Sequence, residues 1–170
     1  MKKILFLDHA TVIGGAQLVL VSYLKYLSKE KYYKIVASSG SSDFLTEKFN
    51  VFSDKHYVIP FEKLKISSPL VIFRFILSVY SVIKIVREEK VDVICTNTEW
   101  AMYVGTLTAI LTKKKLYWFV RDYLYNLTLF KLLSKYTDKM FFVSNDLKDF
   151  YYNPKNSLVV YVSSDMFERV

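Results

Sequence analysis

Seven short apolar runs alternate with segments of helical periodicity along this chain, and that alternation restricts its fold more than any other feature. The runs are Ile4–Leu7, Ile35–Ala37, His56–Ile59, Val91–Cys95, Leu116–Val120, Met140–Val143 and Leu158–Val162. Compact apolar runs rich in β-branched and aromatic residues read as strands buried on both faces. Between them the spacing predicts helices over Ala16–Lys29, Asp43–Phe49, Pro69–Glu89, Trp100–Thr112, Tyr123–Lys135 and Asp146–Tyr151. Tyr32 and Tyr33 are read with the end of the first helix, and Asp43 as the N-cap of the second. Strands joined by helices form right-handed βαβ units, so the expected fold is α/β: a doubly wound, mainly parallel sheet of about seven strands with helices on both faces.

In such a sheet ligands bind beyond the carboxyl ends of the strands. The polar residues of this chain gather at those ends: Asp8 and His9, Ser38 and Ser39, Asn97 and Glu99, Arg121 and Asp122, Ser144 and Asn145. The first strand leads through a loop into Gly14-Gly15 at the start of a helix. Glycines there let backbone N–H groups approach a ligand, and a helix N-terminus favours negative charge. The pattern fits a phosphate, a carboxylate or a sugar hydroxyl, and equally a tight turn with no ligand. It lacks the third glycine of G-x-G-x-x-G and the G-K-[ST] of a P-loop.

The longest helical segment opens at Pro69, a residue suited to a first helical turn. It is nearly all apolar from Leu70 to Val86, broken by Arg74, Ser78, Ser81 and Lys84. A bilayer span needs about 20 apolar residues. The segment is marginal for that, and a helix packed on the sheet with a second apolar partner also satisfies the pattern. At 170 residues, 52% of them hydrophobic, the chain can bury one substantial core. Its net charge of +8 points to nucleic acid or to an anionic membrane. Neither zinc spacing nor an RNA-binding aromatic motif is present, which leaves the membrane as the expected partner and no nucleic acid. Basic residues Arg74, Lys84, Lys113 to Lys115, Lys131 and Lys135 are interleaved with Tyr123, Tyr125 and Phe130. The single Cys95 cannot form an internal disulfide, so a cytoplasmic chain, peripheral on the inner face of the plasma membrane, is expected. No metal cluster is visible in the sequence, and metal-independent chemistry is expected.

The order of these landmarks resembles family 4 glycosyltransferases of the GT-B type. Their opening strand and loop lead into Gly-Gly-Ala-Glu, and here the residues are Gly14-Gly15-Ala16-Gln17. Their next strand ends in a polar turn matched by Asp92-Val93-Ile94-Cys95-Thr96-Asn97. A strand ending in His-Asp corresponds to Val120-Arg121-Asp122, and an apolar strand ending Val-Ser to Phe141 through Ser144. The resemblance spans nearly the whole chain. It implies that residues 1–170 form one Rossmann-like, acceptor-binding N-terminal domain, without the C-terminal domain that binds the nucleotide-sugar. It further implies a retaining transfer from a nucleoside diphosphate sugar, as co-substrate rather than cofactor, to a glycan or lipid-linked acceptor of the cell envelope. This half alone would be inactive. The alternative is a non-catalytic, membrane-recruiting subunit of a split transferase.

Two positions depart from the family pattern. Arg121 stands where the family often has a histidine that contacts the donor sugar, and Gln17 replaces a glutamate. Arginine stays protonated and cannot act as a base, but it can clamp a phosphate bidentately or pair with a carboxylate. Arg121 and Asp122 are the catalytic candidates. Asp122 can orient a hydroxyl or cap the following helix. The substrate-binding candidates are His9, Gly14, Gly15, Gln17, Asn97, Glu99 and Ser144. For His9 the alternative is a backbone hydrogen bond, for Glu99 a helix cap, and for Asn97 and Ser144 an ordinary turn.

Overall fold

The computed structural model describes residues 1–61, 69–123, 126–152 and 154–161. Seven strands are present: β1 (Lys2–Asp8), β2 (Tyr32–Ser38), β3 (Lys55–Val58), β4 (Val93–Thr96), β5 (Lys115–Val120), β6 (Lys139–Phe142) and β7 (Ser157–Val159). Six helices connect them: α1 (Gly15–Tyr26), α2 (Asp43–Phe52), α3 (Pro69–Glu88), α4 (Glu99–Thr112), α5 (Leu127–Ser134) and α6 (Asn145–Phe150). Every strand pair is parallel, and the order is β3-β2-β1-β4-β5-β6-β7. This is the doubly wound, Rossmann-like sheet expected from the alternation. Its topological switch point lies between β1 and β4, where the connections leave in opposite directions.

The two faces of the sheet are covered unequally. Alternate residues point to opposite faces, so Leu5 and Leu7 join Ile94, Leu116, Trp118, Met140 and Phe142 in one core. That core is closed by Val82 and Val86 of α3, Met102 of α4, Phe130 of α5 and Leu147 of α6. Phe6, Val36, Val93 and Cys95 face the other way and meet Leu20 and Leu24 of α1 and Phe49 of α2. Beyond these two helices the same face presents Tyr117, Phe119 and Phe141, which line an apolar groove of about 350 Å³ beside Tyr23.

Several sequence expectations shift for local reasons. Tyr32 and Tyr33 open β2 rather than ending the first helix, because α1 stops at Tyr26 and Leu27 is extended. Lys34, wholly buried, donates from Nζ to the Leu24 carbonyl at 2.6 Å, and so satisfies one of the orphan acceptors of that helix end. The N-cap of α2 is Ser42, whose Oγ accepts from the Leu45 N–H, and Asp43 is the first helical residue. Helix α5 starts four residues later than expected, at Leu127. Helix α3 packs on the sheet through Val79, Val82 and Val86, and no helix among the described residues is long and apolar enough to cross a membrane. Tyr125, Val162 and Ser163 to Asp165 lie outside the described residues.

Candidate functional site

At the switch point the ends of β1, β4 and β5 are joined by one chain of buried polar contacts. Asp8, the last residue of β1, is 1% exposed, and its carboxylate takes three kinds of donor. The Ala10 N–H donates to Oδ1 at 2.8 Å. Gln17 Nε2 donates to Oδ1 at 3.3 Å and to Oδ2 at 3.1 Å. Asn97 Nδ2 donates to Oδ2 at 2.8 Å across the strand gap. A buried carboxylate is tolerated only when its lone pairs are filled, and these donors fill them.

Asn97 carries the chain onward. Its Nδ2 also reaches the Ala16 carbonyl at 3.2 Å, and its Oδ1 accepts from Arg121 Nη2 at 2.9 Å. Arg121 thus pairs with a neutral amide, and it forms no ion pair with a carboxylate among the described residues. Its guanidinium lies 5.4 Å from the centroid of Phe119, within cation–π range. Phe119 is itself stacked on Tyr23 at 5.2 Å and on Phe141 at 5.0 Å. Burial pushes the Arg121 guanidinium below its ordinary value, while Tyr23, Asp8 and Asp122 pull the other way. Burial also raises the Tyr23 hydroxyl, against the opposing influence of Arg121. Arg121 Nε is buried with no hydrogen-bond partner among the described residues.

The glycine pair closes the other side. Gly14 is the N-cap of α1 and is extended, a backbone any residue adopts; among the described residues no side chain caps this helix, and no acidic residue lies in its first turn. A Cβ on Gly14 would meet Gln17 Oε1 at 3.1 Å, whereas one on Gly15 would stand in open space. The helix N-terminus is therefore open to a negatively charged group.

His9 follows Asp8, and its Nδ1 lies 2.6 Å from Thr98 Oγ1. Its ring is tilted 6.5 Å from Trp100. Glu99 does not cap α4: Thr98 occupies the N-cap position and Glu99 is the first helical residue, accepting from the Tyr103 hydroxyl at 2.9 Å. Asn97, Thr98, Glu99, Arg121 and Asp122 share a recess of about 10 Å³, large enough for little more than a water molecule.

Seven sequence candidates, His9, Gly14, Gly15, Gln17, Asn97, Glu99 and Arg121, therefore gather at the switch point. Asp122 borders the same recess as Asn97 and Arg121, and Ser144, beyond the end of β6, stands apart. Asp122 is exposed and does not cap α5; Asn126 does, accepting from the Leu129 N–H at 2.9 Å, because the helix begins beyond the reach of Asp122. Ser144 caps α6 by accepting from the Leu147 N–H at 3.1 Å. The hub of the network, Asp8, was visible in the sequence as a strand-end carboxylate but was not among the candidate site residues. No cluster of His, Cys, Asp or Glu placed to hold a metal ion is present among the described residues.

No family model and no curated sequence matches this chain. Solved structures do. HepE (Alr3699) from Anabaena, in complex with UDP-glucose, is similar with a TM-score of 0.71 at 20% identity over 95% of this chain and 44% of its own. A glycosyltransferase from Rickettsia africae gives 0.68 at 17% identity over 94% and 42%. The UDP-GlcNAc 2-epimerase of Neisseria meningitidis, bound to UDP-GlcNAc, gives 0.66 at 15% identity over 92% and 46%. The chain thus spans less than half the length of each, and what it shares with them is the Rossmann-like half of the GT-B fold.

Proposed function

We propose that this chain is the N-terminal, acceptor-binding half of a retaining glycosyltransferase that moves a sugar from a nucleoside diphosphate sugar to a glycan or lipid-linked acceptor. The observation that carries the reading is the Asp8–Asn97–Arg121 chain at the switch point of the sheet, set beside the uncapped N-terminus of α1. In sugar transfer, charge develops on the departing diphosphate, and preorganised donors aimed at that charge lower the barrier. The first-turn N–H groups of α1 and the Arg121 guanidinium are such donors. Arg121 Nε, which has no partner among the described residues, is a further donor to the same charge. Asn97 fixes Arg121 in place, and Asp8 fixes Asn97. Asp122, exposed at the rim of the recess, is left to orient an acceptor hydroxyl. The similarity to proteins bound to UDP-glucose and UDP-GlcNAc supports a nucleotide-sugar as co-substrate. A second, donor-binding domain or subunit completes the site in this reading, which the 44% coverage of HepE supports. In this reading the chain works in the cytoplasm, peripheral on the inner face of the plasma membrane.

The test uses the native protein, tagged in its source cells and purified with whatever chain accompanies it. Labelled UDP-, GDP- and ADP-sugars are supplied with membranes from the same cells as acceptor. Transfer of label that Arg121→Ala reduces at least a hundredfold is the expected result. Transfer confined to preparations holding a second, nucleotide-sugar-binding chain identifies the split-subunit arrangement. Absence of transfer from every donor overturns the proposal.

A further inference from the structure

Helices α3 and α4 lie side by side over the larger core and turn an apolar outer face to solvent. On α3, Phe73, Ile76 and Tyr80 are each more than half exposed, at helical spacing along one stripe. On α4, Leu107, Ile110 and Leu111 are exposed at helical spacing as well, and Leu111 lines a groove with Arg87 at the C-terminal end of α3. Scattered exposed apolar residues are ordinary, but exposed apolar stripes on each of two packed helices mark a contact surface. Toward the C-terminal ends of both helices its character changes. Arg87, Lys90 and Lys114 line a groove of about 340 Å³ there, together with Leu111 and Thr112. Lys113 ends α4 beside it in a left-handed conformation, with φ of 54°. Glu88 is the acidic neighbour, and Lys84 faces it at 3.8 Å.

An apolar stripe that runs into a cationic groove complements a surface which is apolar within and anionic at its headgroups. We infer that the outer face of α3 and α4 is a docking surface for an anionic lipid bilayer, with Phe73, Ile76 and Tyr80 entering the acyl boundary and a phosphate headgroup seated among Arg87, Lys90 and Lys114. The surface deepens the lipid-linked acceptor named above and rests on that reading for its purpose, though not for its measurement. Helix α3 runs antiparallel to the strands, so its apolar end lies at the same end of the sheet as Asp8 and Arg121. An acceptor held in that bilayer is brought to the side of the site.

Co-sedimentation of the purified protein with vesicles tests the inference without any sugar present. Binding to vesicles of phosphatidylcholine with phosphatidylglycerol is expected, with loss of binding on phosphatidylcholine alone and in high salt. Arg87→Glu with Lys114→Glu removes two surface cations and lowers partitioning at least about thirtyfold. Phe73→Ser with Ile76→Ser lowers it about a hundredfold, taking roughly tenfold for each apolar side chain withdrawn from the acyl boundary. Circular dichroism confirms that each variant stays folded, as expected for exposed positions. Equal binding of both pairs of variants and the parent overturns the inference. So does concentration-dependent self-association that consumes the same face. Vesicle binding that persists where sugar transfer fails would leave this surface standing and remove only the transferase reading; transfer without vesicle binding would do the reverse.

Discussion

Gln17→Glu is the substitution that most directly interrogates the buried centre, because it sets a second carboxyl against Asp8 where an amide now donates. Gln17 is 4% exposed and its amide donates to both oxygens of Asp8. A carboxylate in that place would sit about 3 Å from another, and two buried carboxylates that close cannot both ionise cheaply. The variant escapes by keeping a proton on the pair, which then serves as the donor that the amide supplied. Holding a carboxyl of ordinary pKa about 4.3 protonated at pH 7 costs up to about 3.7 kcal/mol, at about 1.36 kcal/mol per pH unit. At pH 5 the same step costs only about 1 kcal/mol.

The sign of the pH dependence follows from linkage. The introduced carboxyl has a folded pKa above its unfolded one, so its penalty is absent below about pH 4.3 and grows as pH rises toward the folded value. For a chain of this size each kcal/mol shifts Tm by about 2–4 °C. The variant should therefore melt about 7–15 °C below the parent at pH 7 and about 2–4 °C below it at pH 5. Thermal unfolding by circular dichroism at both pH values, each against the parent in the same buffer, makes the measurement. Gln17→Leu is the control: it loses the donor without adding charge, and its deficit should change little with pH. A Gln17→Glu deficit that is the same at pH 5 and pH 7 would refute the placement of Gln17 against Asp8.

Two further outcomes are expected. A Cβ on Gly105 would stand 2.4 Å from Thr96 Cγ2 and 3.4 Å from Leu7 Cδ1, so Gly105→Ala should cost about 1–3 kcal/mol in the melt despite the better helix propensity of alanine, and Thr96→Ser should recover part of it. Hydrogen bonds from Lys55 and then Tyr57, both at 2.6 Å, hold the Glu89 carboxyl below its usual range; the stability this gives is present above the ordinary carboxylate pKa and lost as pH falls through the folded one, so Glu89→Gln should flatten the acid limb of the stability curve below about pH 4.5 in urea titrations.

The sheet was legible in the sequence because buried parallel strands leave an apolar run wherever both faces are covered. All seven runs became strands, and the polar residues that follow them did collect at one edge. The caps were harder to place, since Ser42 and Asp43, or Asp122 and Asn126, are interchangeable by residue type. Which of them caps depends on where the helix starts, and tertiary packing sets that start. Tyr32 and Tyr33 were misread because the strand preference of aromatic residues is weak and depends on context, so it did not outweigh their position just after a helical segment; pairing with Lys2 and Lys3 of β1 places them in β2. The role of Asp8 was hidden for a different reason. A lone strand-end carboxylate has no sequence signal for its partners, and here one of them, Asn97, lies 89 residues away.

The polar centre and the open half of the sheet form one unit. Phe119 lies on β5 two residues before Arg121, so the twofold period of the strand puts both side chains on the same face. That face carries the groove bounded by Tyr117, Phe119 and Phe141, and its aromatic rings form the stack on which the guanidinium rests. Tyr23 joins the stack from α1, the same helix whose N-terminus is the open anion-favouring end. The rigid elements that would meet a diphosphate, the helix N-terminus and the arginine, are therefore tied to each other twice. One tie runs through the hydrogen bonds of Asp8 and Asn97, the other through the aromatic rings of Tyr23 and Phe119. A site built this way keeps its donors in place before any ligand arrives, and that preorganisation is the condition under which such donors lower a barrier instead of merely binding.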